Sequence, residues 1–129
     1  MKVSVFILSI FVFTVSSSKC NKIYQIGEVD EIPKFPGGDS AMITFIGKNF
    51  DYTKYSPAGD FIGGRILYEV IVEKNGKISI VKNLRPQRDL FDAEAIRVIK
   101  AMPKWIAGKK DGKPVRVYFV INIIISPNN

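Results

Sequence analysis

Chemistry in this chain has few groups to work with. The 129 residues contain no histidine and a single cysteine, Cys20, so neither a histidine general base nor a multi-cysteine metal site can be assembled. No Ser, Lys and acid arrangement stands at a spacing that would activate a nucleophile. The densest acidic group is Asp89, Asp92 and Glu94. Acids in the first turn of a helix complement its dipole and its orphan N–H groups, which accounts for these three without catalysis. Gly63-Gly64 leads into a strand pattern rather than opening a helix, so it is no phosphate loop. The expectation is a protein that is not an enzyme, with no cofactor and no metal, whose work is done by contact.

Three groups of residues are suited to contact. Trp105 directly follows an amphipathic stretch and is expected to plug the junction between a helix and a sheet. Lys109, Lys110, Lys113 and Arg116 surround a glycine turn, where docking an acidic surface and plain solvation weigh equally. Tyr118, Val120 and Asn122 alternate along the strand that follows. The partner-binding set read from the sequence is therefore Lys113, Arg116, Tyr118, Val120 and Asn122.

These residues need elements to hold them. From Val115 to Ile125 one alternate set, Val115, Val117, Phe119, Ile121, Ile123 and Ile125, is wholly apolar, while Arg116, Tyr118, Val120, Asn122 and Ile124 form a mixed face. Before it, a helix is expected from Asp89, capped by Asp89 with Asp92 as the capping-box acid, and stopped by Met102-Pro103. Phe91, Ala95, Val98, Ile99 and Met102 make its buried stripe, with Glu94, Arg97 and Lys100 facing out. A hairpin precedes it. A two-residue Asn75-Gly76 turn would set Val72 against Ser79, whereas a three-residue Lys74-Asn75-Gly76 loop with Gly76 left-handed sets Val72 against Ile78, Val70 against Ile80 and Ile66 against Leu84. Hydrophobic matching selects the bulged loop, with strands over 65–73 and 77–84. A first helix is expected over 40–48, capped by Asp39 after the Phe35-Pro36-Gly37-Gly38 turn, and 49–64 reads as a long ordered loop.

The fold class that results is α+β: a three-stranded antiparallel sheet with two helices on one face, in the order α-β-β-α-β. A right-handed crossover places the last strand beside the first and leaves it on an edge, where unpaired backbone must be covered or used.

The N-terminus sets the location. Lys2, the apolar run Val3 to Val15 and the small residues Ser16 to Ser18 read as a signal peptide over 1–19, and the run is short for a membrane span. Residues 20–34 lack periodicity and are expected to be a flexible lead-in to a domain over 35–126. Two readings of Cys20 stay open, a lipidated first residue that would tether the domain to a membrane and a simple tail cysteine. Lys19 stands against the first. The net charge of +7 favours solubility, and export argues against nucleic acid as a partner.

Four motifs then stand in order: Phe35 to Gly38 (FPGG), Gly64-Arg65 with Val70, Val72, Gly76 and Ile78, Ala95 to Trp105 (AIRVIKAMPKW), and Gly112 to Phe119 (GKPVRVYF). Together they resemble the C-terminal domain of TonB, the periplasmic energy transducer, across about Val29 to Ile125. The chain departs from the family at Thr53 and Ala107, where prolines are usual. The resemblance implies a periplasmic module for TonB-dependent transport that captures an extended segment of an outer-membrane transporter, or of another envelope protein, by β-strand addition to the last strand. A full TonB also has a retained membrane helix and a proline-rich rod. Neither is read here, so energy transduction by this chain alone is not expected. The alternative is a structural or inhibitory envelope protein, such as a homodimer, that keeps the fold without transporter binding.

Overall fold

The computed structural model describes residues 21–54 and 63–126. The expected signal peptide, Cys20 and most of the loop before Gly64 lie outside the described residues. In chain order the elements are β1 (Ile23–Tyr24), α1 (Asp39–Asn49), β2 (Gly64–Val72), β3 (Ile78–Asn83), α2 (Asp89–Lys100), β4 (Gly108–Lys110) and β5 (Lys113–Ile125).

The class is α+β as expected, but the sheet is five-stranded and mixed, not three-stranded and antiparallel. Its strand order is β1-β5-β2-β3, with β4 pairing β5 off that path. Strand lengths explain the difference. β5 has 13 residues and β2 only 9, and their antiparallel pairing runs from Gly64 opposite Ile125 to Val72 opposite Val117. The start of β5 overhangs β2, and its backbone groups need partners. β4 supplies them over Lys113 to Val115, while β1 pairs in parallel with Arg116 and Val117 on the side of β5 away from β2. Neither strand is long enough to show an alternating pattern, so periodicity could not reveal them.

The two helices pack with one face of the sheet. Met42 and Ile46 from α1, and Phe91, Ala95, Val98 and Ile99 from α2, close over Ile66, Tyr68, Val70 and Val72 of β2 and Ile121, Ile123 and Ile125 of β5. α1 begins one residue earlier than its cap was expected: Gly38, at φ 87°, precedes the helix, and Asp39 lies inside the first turn with no side-chain cap. α2 likewise starts with Asp89 inside it. Asp92 Oδ2 instead accepts the Gln87 N–H at 3.0 Å, tying down the approach to the helix.

The hairpin loop is the expected one. Gly76 sits at φ 83°, its N–H donates to the Glu73 carbonyl at 2.9 Å, and Val72 faces Ile78 with Val70 facing Ile80. Beyond that point the register slips between Glu69 and Val70, so Tyr68 faces Asn83 and the expected pairing of Ile66 with Leu84 is not made. A bulge of this kind inserts one residue in the β3 strand and shifts every later pair. The shift rescues a buried phenol: Asn83 Nδ2 donates to the Tyr68 hydroxyl at 3.1 Å, and burial, with Asp92 nearby, pushes the Tyr68 pKa up to about 12.

Trp105 is buried, as expected of a plug. Its ring meets Phe35 edge-on at 5.8 Å and Phe119 at 5.1 Å between centroids, and its backbone N–H donates to the Gly76 carbonyl at 2.8 Å. The indole thus ties the segment after α2 to the Phe35 turn and β5, and the backbone bond ties it to the hairpin tip. Its Nε1 finds no acceptor among the described residues, so packing supplies the stabilisation.

Glu94 corrects the sequence reading. It was expected to face out with Arg97, yet its side chain is only 4% exposed. The segment after α1 folds over this flank of α2, and Glu94 accepts the Asp51 N–H at 3.0 Å while Arg97 Nε donates to both of its oxygens. Arg97 also reaches the Asn49 carbonyl. A helical wheel cannot see a loop that arrives from 43 residues away.

The lead-in also differs from its expected form. Besides β1, Asp30 and Glu31 donate backbone N–H groups to the Lys109 carbonyl, and Lys34 exchanges backbone bonds with Ile106. Residues 21–34 are docked along the sheet, because the segment from Ile106 to Lys110 offers backbone partners that composition gives no hint of.

Candidate functional site

β5 presents two surfaces that are not used by the core. The first is its outer edge. β2 takes one side of β5 from Val117 to Ile125, β1 takes the other side only at Arg116 and Val117, and among the described residues nothing pairs with the outer edge from Tyr118 to Ile125. In a sheet such an edge presents alternating N–H and C=O groups to whatever lies alongside.

The second surface is the sheet face turned away from the helices. Arg116, Tyr118, Val120 and Asn122, four of the five residues expected to contact a partner, share this face by strand alternation, with Ile124 at its end. Val120 is 46% and Ile124 65% exposed, whereas Tyr118 is half-buried. Tyr118, Val120, Asn122 and Ile124 stand opposite Ile71, Glu69, Leu67 and Arg65 of β2. The face is therefore mixed, with Ile71, Leu67, Val120 and Ile124 interleaved with Glu69, Asn122 and Arg65.

Arg116 is not free to reach out alone. Its Nε donates to Glu73 Oε2 at 2.6 Å and its Nη2 to Glu73 Oε1 at 3.1 Å, a side-on fork from β5 to the residue just past β2. That hydrogen-bonded guanidinium holds the Glu73 carboxyl below the usual carboxylate range against the opposing effect of burial, and the Ser79 hydroxyl adds a further bond. The remaining Nη1 donates to the Asn21 carbonyl at 3.2 Å.

Lys113 stands apart from the other four. It is the first residue of β5, paired with Lys110 just past the β4–β5 turn that reverses through Asp111 at φ 51° and Gly112 at φ 74°, and its side chain is exposed. The rest of the basic turn is engaged by the lead-in: Lys109 lies 3.9 Å from a Glu31 carboxylate oxygen and Lys110 Nζ donates to the Glu28 carbonyl at 2.9 Å. Both contacts are with exposed groups and contribute little to stability.

Sequence reasoning missed a third feature. Where β5 ends, a cavity of about 200 Å³ opens between α1 and Ile123–Ser126, walled by Ile43, Ile46, Gly47 and Tyr52. Ile43 on its rim is 53% exposed. The helical spacing that marks Met42, Phe45 and Ile46 as core gives Ile43 no role, and the exposed isoleucine was the one signal that could have found the cavity.

No helix among the described residues is long and apolar enough to cross a membrane, and none of those residues form a cluster of three or more metal-binding side chains. Fold and site together define a small α+β domain whose longest strand offers an open edge beside a partly apolar face. Residues 61–124 match the family model described as Gram-negative bacterial TonB protein C-terminal, and the chain carries a domain of the TonB C-terminal family. The matched stretch runs from just before β2 to the penultimate residue of β5, so it contains the hairpin, α2, Trp105 and the open edge. The family is one of binding and transducer domains associated with TonB-dependent transport; its members are periplasmic and interact with outer-membrane transporters. Comparison with curated proteins and with solved structures found no match.

Proposed function

We propose that this protein is an exported TonB-like binding module that captures an extended segment of an outer-membrane transporter, or of a related envelope protein, by adding that segment as a strand to the outer edge of β5. The observation that carries the reading is the open edge from Tyr118 to Ile125, at the end of the family match. Backbone bonds along the edge supply affinity without demanding particular side chains. Val120 and Ile124 offer apolar contact to alternate side chains of the added strand, and the cavity by Ile43 offers a place for an apolar group at its end. Asn122 and Arg116 supply polar contacts on the same face, with Lys113 beyond them. The chain performs no catalysis in this reading, and it works in the periplasm after removal of its leader.

Single prolines test the edge. In the antiparallel pair with β2, N–H groups of alternate β5 residues point inward to β2 and the others point out. Proline placed in turn at Tyr118, Phe119, Val120 and Ile121 removes one donor each time. One parity is expected to weaken binding of a peptide copied from the extended N-terminal segment of an outer-membrane transporter while the domain still melts cooperatively. The other parity is expected to unfold the domain by breaking the ladder to β2. Four variants that all fold and all bind as the parent does would remove β5 as the docking edge and leave the structural or dimeric envelope protein as the reading to pursue.

A further inference from the structure

The chain already places a strand of its own on this edge. Ile23 and Tyr24 pair in parallel with Arg116 and Val117, and because Val117 also pairs with Val72 of β2, β1 lies on the outer side of β5. It is collinear with the open stretch that begins at Tyr118. We propose that β1 is a built-in competitor: a tethered strand that occupies the first positions of the docking edge and is displaced by any partner strand reaching past Tyr118 toward Lys113. The proposal rests on the reading of that edge as the docking edge.

Three features make β1 a replaceable occupant rather than a permanent strand. Its pairing covers two residues, and Ile23 and Tyr24 are half-buried and take no part in the core cluster. Its neighbours hold it loosely: Lys22 Nζ lies over the Tyr24 ring at 4.5 Å, and at Gln25 the chain turns off the sheet into a single helical turn, Ile26–Glu28. The anchor lies downstream, where Asp30, Glu31 and Lys34 bond to the backbone of Lys109 and Ile106. When β1 leaves, the segment stays attached a few residues away, so its return is an intramolecular step at high effective concentration.

Arg116 fits the same account as a receptor for backbone. Its fork to Glu73 fixes the guanidinium on the domain whether or not β1 is present, and the remaining Nη1 is aimed at a main-chain carbonyl, that of Asn21. A carbonyl makes no demand on the side chain that carries it. An incoming strand of any sequence can therefore take over the bond that Asn21 gives up, and the exchange costs few net hydrogen bonds.

The test uses the full chain and the double variant Ile23→Pro/Tyr24→Pro, which cannot donate from β1. The probe is a synthetic peptide of the chain's own Asn21–Gly27 sequence, followed by amide chemical shifts of Arg116 to Tyr118. The variant is expected to bind it at least about tenfold more tightly than the parent, because a site occupied most of the time binds a competitor in proportion to its free fraction. Equal binding to both chains overturns the proposal. Hydrogen exchange on the parent decides independently of whether the variant folds: amides of the β1–β5 pairing are expected to exchange through local opening well before those of β2–β5, and exchange of both only on global unfolding overturns the proposal. A transporter-derived peptide run on the same two chains separates this inference from the function it rests on. Own-peptide binding to the variant with no binding of the transporter peptide leaves the competitor standing and removes the transporter reading.

Discussion

Replacing Trp105 by alanine is expected to unfold the junction on which the site stands. The indole is 4% exposed and is enclosed by Phe35 on one side and Phe119 on the other, at 5.8 and 5.1 Å between ring centroids. These neighbours come from two separate parts of the chain, the FPGG turn and β5, so neither can move into the space without leaving its own element. Poor collapse puts the cost in the range of a large aromatic truncated in a core, about 3–5 kcal/mol. No hydrogen-bonding loss offsets or adds to this, since Nε1 has no acceptor among the described residues and the backbone bond to Gly76 survives the substitution in principle. For a domain of this size each kcal/mol lowers Tm by about 4–8 °C, so a fall of at least about 12 °C is expected. Denaturant melts of the parent, Trp105→Ala and Trp105→Phe would measure it, with the phenylalanine variant falling between the other two. A loss under about 1 kcal/mol together with loss of partner binding would refute the reasoning and make Trp105 a contact residue.

Two further outcomes follow from the same packing. Gly76→Ala is expected to cost about 2–4 kcal/mol, because Gly76 is at φ 83° and an added Cβ would lie 2.1 Å from the Trp105 carbonyl oxygen, forcing the hairpin tip away from it. Gly76→Asn, which tolerates the backbone conformation but not the contact, is expected to do no better in a denaturant melt; a rescue by asparagine would show that conformation alone matters. For Glu94, the hydrogen bonds from Arg97, helped by the Asp51 N–H, hold the folded carboxyl below its usual range, with burial opposing. A depressed folded pKa contributes stability that is present above the unfolded value of about 4.3 and is lost as pH falls through the folded value. Glu94→Gln is therefore expected to be less stable at pH 7 by about 1–2 kcal/mol and to lose less than the parent between about pH 5 and pH 3. Parallel curves of Tm against pH for the two proteins would contradict this.

Much of this architecture was legible in the residues because it depends on local periodicity. The stripe Phe91, Ala95, Val98 and Ile99, the stop at Pro103 and the alternation from Val115 to Ile125 each follow from the repeat of one element, and the left-handed Gly76 follows from matching two adjacent strands. The set Arg116, Tyr118, Val120 and Asn122 shares a face for the same reason. What the residues could not disclose are the interactions that join distant segments through backbone, where side-chain type leaves no mark. β4 pairs the start of β5 where β5 outruns β2 and its peptide groups need partners, and β1 adds to the opposite, outer edge of β5, which would stand unpaired whatever the length of β2. Glu94 is buried because a loop that begins at the end of α1 settles over it. The bulge that brings Asn83 to Tyr68 was hidden because apolar matching favoured the unbroken register, and the polar pair that outweighs it forms only in a buried setting. Sequence alone determined that the last strand would have an outer edge; tertiary structure decided how much of that edge the chain covers itself, because coverage depends on where the N-terminal segment docks through backbone bonds that side-chain type does not mark.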